Sequence, residues 1–295
     1  MSEKEIPFGT GYLKYTIQNS SVTITAWNGM EGEIELPETI EDLPVTVIGK
    51  KAFLSKKHLR RVRTPDNLTE IQDWAFAYCD GLGQVELPKH QLIFGKSVFM
   101  NCGRLEVLKV KGETESVGRL LSTAVTALDA PYLLDVVEAG SRQWLSQFDA
   151  RVLSILHKPD KEGYSKQVLC GEEDYGSTDY GAYISERRKE KVRLALVRLL
   201  CSEGLSKSLE QELKDYLLEH TKGCESEESW QVVLKEHGTD RAYYELFVNL
   251  GCVTDANREQ MIEEIGEDYP EMKSYFLRLS GNKRSDEDFF SMLDL

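Results

Sequence analysis

Shifted by 23 positions, residues 48–110 fall onto themselves. Leu59, Leu82 and Leu105 align, as do Val62, Val85 and Leu108, and Ile48, Ile71 and Phe94. The pairs Ala52-Phe53, Ala75-Phe76 and Val98-Phe99 also align, with Pro65 on Pro88 and Cys79 on Cys102. A unit this short cannot bury its own apolar face, so copies must stack, and like residues form ladders through a shared core. The spacing predicts a solenoid in which each coil gives one short strand to a parallel sheet. Two β-rich stretches upstream, Tyr12–Ile17 and Val22–Trp27, are separated by Asn19-Ser20-Ser21 and read as a hairpin. It would cap the first coil, whose backbone groups would otherwise stay unpaired.

The pattern LxxVxxPxxLxxIxxxAFxxC, from Leu59 to Cys79, resembles the BspA-like leucine-rich repeats of many bacterial proteins. The resemblance covers about residues 30–110. It weakens at Phe94 and Lys111, where the motif has Ile and Pro, which suggests the array is ending there. Many members of that family are exported or surface proteins that bind host or carbohydrate ligands.

In a strand, alternate residues face opposite sides. With Ile34, Val62, Val85 and Leu108 turned inward, the outward rungs are Glu33 and Glu35, Arg61 and Arg63, Gln84 and Glu86, and Val107 and Lys109. Charge alternates from rung to rung, which suits cross-strand ion pairing and also a recognition surface. The candidate binding residues are therefore Glu33, Glu35, Arg61, Arg63, Gln84, Glu86 and Lys109. The basic run KKAFLSKKHLRRVR lacks aromatic residues on the same face for stacking bases, so it reads as a solvated repeat surface.

From about Ser116 the apolar period changes to 3.6. Val192, Ala195, Leu196 and Leu199 lie on one face; so do Leu209, Leu213, Tyr216 and Leu217, with a turn near Gly204 between the two helices. Ser208 and Gln211 fit a capping box, and Gly223 a left-handed stop. Further helices are expected around Trp230, Tyr243-Tyr244, Met261 and Met272, and also around Leu120-Leu121, Tyr132–Val137, Trp144-Leu145 and Val152–Leu156. Residues 159–183, with four glycines and the acids Glu172, Glu173, Asp174 and Asp179, read as an acidic loop pairing with Arg187, Arg188 and Lys189. The expected class is α+β: a leucine-rich-repeat solenoid with a β-hairpin cap over 1–115, then a helical-hairpin domain over 116–295. That second stretch is similar to an uncharacterised extension accompanying such repeats.

Charge limits the partners. Residues 1–115 carry 14 Lys or Arg against 16 Asp or Glu, whereas the remainder carries 22 against 34, so nearly all of the net −14 lies in the second part. Phosphate backbones and anionic bilayers would be repelled there. No apolar run approaches a membrane span, and Met1–Gly11 lacks the apolar core of a secretory signal, so a cytoplasmic location is expected. Six cysteines without a CxxC pair read as buried small hydrophobes, although Cys79 and Cys102 sit where adjacent coils could bring them together. No nucleophile elbow, phosphate loop, dinucleotide fingerprint or HExxH occurs, and the acidic loop has the wrong register for calcium. No cofactor or metal is called for, and a small-molecule ligand is disfavoured. The function this points to is non-enzymatic protein binding through the sheet face. The alternatives are an enzyme with Glu172 and Glu173 in acid–base roles, or an assembly protein. The terminus SGNKRSDEDFFSMLDL would dock on the helical domain or serve as a peptide ligand.

Overall fold

The computed structural model describes residues 2–164 and 179–279, in two compact units, Met1–Ile155 and Leu156–Leu295. In the first unit, β1 (Lys4–Phe8), β2 (Gly11–Gln18) and β3 (Ser21–Asn28) form an antiparallel meander. The hairpin between β2 and β3 is the expected one. It turns on Asn19 and Ser20, both left-handed (φ 50° and 59°), as a two-residue loop matched to strand twist requires. β1 adds a third strand that the sequence pattern did not indicate.

Each coil then supplies two strands rather than one. Parallel to β3 run β6 (Leu43–Ile48), β8 (Glu70–Ile71) and β10 (Ile93–Phe94). β5 (Thr39–Ile40) folds back antiparallel on β6. The second sheet is β4 (Glu33–Glu35), β7 (Arg61–Arg63), β9 (Gln84–Leu87) and β11 (Val107–Val110), all parallel. The extra strands arise at the ladder of Ile48, Ile71 and Phe94, where a second apolar rung faces the same core. The meander therefore extends the first sheet, and β4 forms an edge of the second.

From coil to coil runs a column of rings. Trp27 and Phe53 lie 5.9 Å apart, Phe53 and Phe76 4.9 Å, and Phe76 and Phe99 5.7 Å, the last two pairs stacked nearly parallel. Trp27, Phe53 and Phe76 are wholly buried. The chain turns each corner of this column through residues with left-handed backbone, again 23 apart: Lys51, Trp74 and Ser97, then Ser55, Tyr78 and Asn101. These corners aim N–H groups at the following coil. Trp74, Phe76 and Tyr78 donate to the carbonyls of Lys96, Val98 and Met100 at 3.0, 3.0 and 2.8 Å. Cys79 and Cys102 do not bridge: each thiol donates to a carbonyl of the preceding coil, Phe53 at 3.0 Å and Phe76 at 3.1 Å. Burial pushes the two thiols up to about 11 and about 12, which keeps them protonated.

The array ends in α1 (Glu115–Thr126), capped by Thr114, whose hydroxyl accepts from Val117 N–H. Helix begins where the apolar period changes, but the division between compact units falls after Ile155, because α1 packs against β11. Tyr132–Val137 is not α-helical. A 3-10 turn (Pro131–Leu133) and further turns fill the space up to Gly140, which is left-handed (φ 81°). Trp144-Leu145 and Val152–Leu156 belong to one helix, α2 (Arg142–Leu156), because nothing between them breaks the 3.6 period.

In the second unit, α3 (Tyr180–Leu200) and α4 (Lys207–Glu219) form the expected pair. α5 (Glu228–Glu236), α6 (Arg241–Asn249), α7 (Arg258–Ile265) and a helix over residues 270–279 follow. Two readings change. Residues 180–183 are the first turn of α3, with Asp179 as cap accepting from Gly181 and Ala182 N–H, so the loop is shorter than 159–183. The cap of α4 is Ser206, not Ser208, because the helix starts two residues earlier and Ser206 accepts from Leu209 N–H at 3.2 Å. Asp160, in the same stretch, receives hydrogen bonds from Arg188 (3.0 Å), one of the expected partners, and from Lys191 (2.6 Å) on the same face of α3. Glu172, Glu173, Asp174 and the terminus from Ser280 lie outside the described residues. Among the described residues, no helix is long and apolar enough to cross a membrane.

Candidate recognition face

The second sheet pairs all four rungs in the predicted register: Arg61 opposite Glu33 and Gln84, Arg63 opposite Glu35 and Glu86, Val107 opposite Gln84, and Lys109 opposite Glu86. Inward, Ile34, Val62, Val85 and Leu108 are all buried. A one-residue slip would expose those four and bury the charges, so the core fixes which residues form the surface.

Register then sets the electrostatics. Arg61 Nη1 lies 3.6 Å from Glu33, and Arg63 reaches Glu35 at 3.2 Å and Glu86 at 3.9 Å. Lys109 Nζ sits 3.8 Å from the other oxygen of Glu86, so Glu35, Arg63, Glu86 and Lys109 form one chain of alternating charge across the sheet. Apart from Glu86, at 23% side-chain exposure, these groups are about half-exposed or more, and each pair contributes only about 0.2–1 kcal/mol. What the pairing supplies is order: the charged ends are held in a fixed pattern on a rigid sheet.

On the fourth rung one residue departs from the reading. Val107 points outward yet is buried, because α1 lies over it. Gly118 permits the approach: a Cβ there would come within 2.9 Å of both Leu108 O and Val107 Cγ1. Ser122 adds a hydrogen bond from its hydroxyl to Glu106 O at 2.6 Å. The helix thus walls the end of the sheet and makes a polar groove of about 410 Å³, lined by Arg61, Gln84, Glu106, Lys109, Glu115 and Arg119. Arg119 is anchored to Glu115 one turn back, at 2.9 Å. Glu106, Glu115 and Arg119 were not among the sequence candidates. The Glu115–Arg119 spacing was readable as a helical pair, but only the packing of α1 brings it beside the sheet.

Beside the ladder, Lys111 hydrogen-bonds Asp66 at 2.6 Å and holds that carboxyl below its ordinary value. Among the described residues, no group of three or more His, Cys, Asp or Glu is arranged to hold a metal ion. His220 and Cys224 each bond backbone carbonyls, of Tyr216 and Leu218. The glutamates of the enzymatic alternative, Glu172 and Glu173, lie outside the described residues.

Residues 32–123 match the family described as the BspA type leucine rich repeat region, so the coils of this segment are BspA-type leucine-rich repeats. Among solved structures, the chain is similar to a leucine rich cell surface protein from Faecalibacterium prausnitzii, with 27% identity over 37% of this chain and 32% of that one and a TM-score of 0.32. A leucine rich repeat protein from T. pallidum shares 28% identity over 35% of this chain and 58% of that one, with a TM-score of 0.28. One from Bacteroides capillosus shares 21% over 37% of this chain and 99% of that one, at 0.29. The matched part thus spans about a third and somewhat over half of the first two. No curated protein matches the chain.

Proposed function

We propose that this protein is a non-enzymatic recognition module that binds a protein partner through the second sheet, in the cytoplasm. The observation that carries the reading is the ladder of Glu33, Glu35, Arg61, Arg63, Glu86 and Lys109, held in alternating charge on a sheet whose register the core dictates. A surface already ordered before contact loses little side-chain freedom on binding, so many modest contacts add up to useful affinity. Leucine-rich repeats generally offer such surfaces to proteins. Alternating charge rejects partners whose own pattern is out of register, which gives specificity more than strength. The cytoplasmic placement is supported by the free state of Cys79, Cys102, Cys201, Cys224 and Cys252.

The test exchanges charges without removing a pair. Glu33→Arg together with Arg61→Glu keeps that ion pair and inverts the surface pattern. Proteins captured from cytoplasm by the wild type, quantified by mass spectrometry, should be lost from the swapped variant, with an unchanged melting temperature for the bait. Equal capture by both would remove the sheet as the recognition face.

A further inference from the structure

At the far end of the ring column, the corner pattern stops one coil short of its acceptors. Ser97, Phe99 and Asn101 are the counterparts, 23 residues on, of Trp74, Phe76 and Tyr78, whose N–H groups bond the carbonyls of Lys96, Val98 and Met100. Ser97 and Asn101 have the same left-handed backbone as Trp74 and Tyr78, so their amides are aimed along the same axis. No fourth coil follows. Among the described residues, no backbone carbonyl accepts from the amides of Ser97, Phe99 or Asn101.

Those three residues line a cavity of about 480 Å³, closed on its other side by Val125, Pro131 and Leu134 from the end of α1 and the turn after it. A cavity of this size lies within the roughly 300–1,000 Å³ of ordinary ligand sites. Phe99, the last ring of the column, forms part of the wall, and Met100 is partly exposed beside it.

We infer that this end of the array is a second binding site, which takes an extended segment of a partner protein supplying the carbonyls of the missing coil. The required ligand follows from the coils already present. Each acceptor segment offers backbone oxygens at alternate residues, as Asp73, Ala75 and Ala77 do to Lys51, Phe53 and Ser55. Each also carries a small–aromatic pair that continues the ring column, as Ala75-Phe76 does. At the opposite end of the array β1 and β2 continue the first sheet in place of a further coil, so the occupant is a segment of a partner protein and not a second copy joined end to end. The site is separate from the polar sheet face, so the two proposals stand or fall independently.

The probe is the blocked peptide of residues 72–78, Gln-Asp-Trp-Ala-Phe-Ala-Tyr, titrated calorimetrically into the full-length protein, with a scrambled peptide as control. Saturable binding is expected, falling at least about tenfold when Val125→Trp fills the cavity and when the peptide's phenylalanine becomes alanine. Amide exchange read by NMR gives a readout that needs no variant. Without peptide, Ser97, Phe99 and Asn101 should exchange far faster than Trp74, Phe76 and Tyr78, and peptide should protect them. No saturable binding, equal binding of the scrambled peptide, or slow exchange of the three amides in the free protein would each overturn the proposal.

Discussion

Removing the ring of Phe76 tests whether the ring column carries the stability of the solenoid. Phe76 is wholly buried and stacks on both sides, on Phe53 at 4.9 Å and on Phe99 at 5.7 Å. Truncating a buried Phe to Ala costs about 3–5 kcal/mol, including the cavity left behind. Two aromatic pairs at about 0.5–1.5 kcal/mol each are part of that loss. Phe99→Ala removes one stacked pair instead of two, at a position beside an existing cavity, so its cost should be smaller by about 1 kcal/mol. In a stack where each coil touches only its neighbours, that difference belongs to position along the column and not to residue type. Urea unfolding reads both values as shifts in midpoint at constant slope. Against a typical total of about 5–15 kcal/mol, Phe76→Ala is tolerable only in a protein of ordinary stability, so Phe76→Leu serves as the milder member of the pair. A cost for Phe99→Ala equal to or above that of Phe76→Ala, or one below about 2 kcal/mol for Phe76→Ala, would refute the reasoning.

Gly118→Leu should destabilise by about 1–3 kcal/mol through overpacking against Leu108 O and Val107, seen as a lower melting temperature, while Gly118→Ser costs less. Burial alone would raise the pKa of Asp160, but its hydrogen bonds from Lys191 and Arg188 outweigh that and hold it below the ordinary value. Its contribution is therefore complete above the unfolded value near pH ~4 and is lost as pH falls through the lower folded value. Asp160→Asn should destabilise at neutral pH and flatten the urea midpoint below pH ~4; an unchanged acid profile would contradict this. Among the described cysteines, alkylation at pH ~8 followed by peptide mass mapping should label Cys224, which is exposed, and leave the buried Cys79, Cys102, Cys201 and Cys252 unmodified in the folded protein.

Much of the first unit was legible because its information is one-dimensional. A fixed interval places Leu59, Leu82 and Leu105, or Phe53, Phe76 and Phe99, one above another whatever the detailed path of the coil, and the alternation around Val62 and Val85 assigns the outward charges. The hairpin and most helices were legible for the same reason, since turn residues and a 3.6 period act locally. The caps were less so: Ser206 and Ser208 both suit the role, and which one serves depends on where α4 starts.

What tertiary structure alone decided was proximity between parts with no common period. Nothing in the spacing of Gly118, Ser122 and Arg119 says that they meet β11, yet that packing buries Val107, moves the end of the first unit to the last turn of α2 and turns a flat ladder into a walled groove. The weakening of the pattern at Phe94 and Lys111 signals that the array ends, but not that the amides of Ser97, Phe99 and Asn101 are left without backbone acceptors among the described residues. A repeat determines what each coil offers to the next. Only the folded chain shows what lies across the open end of the last coil, because that depends on where a non-repeating helix comes to rest.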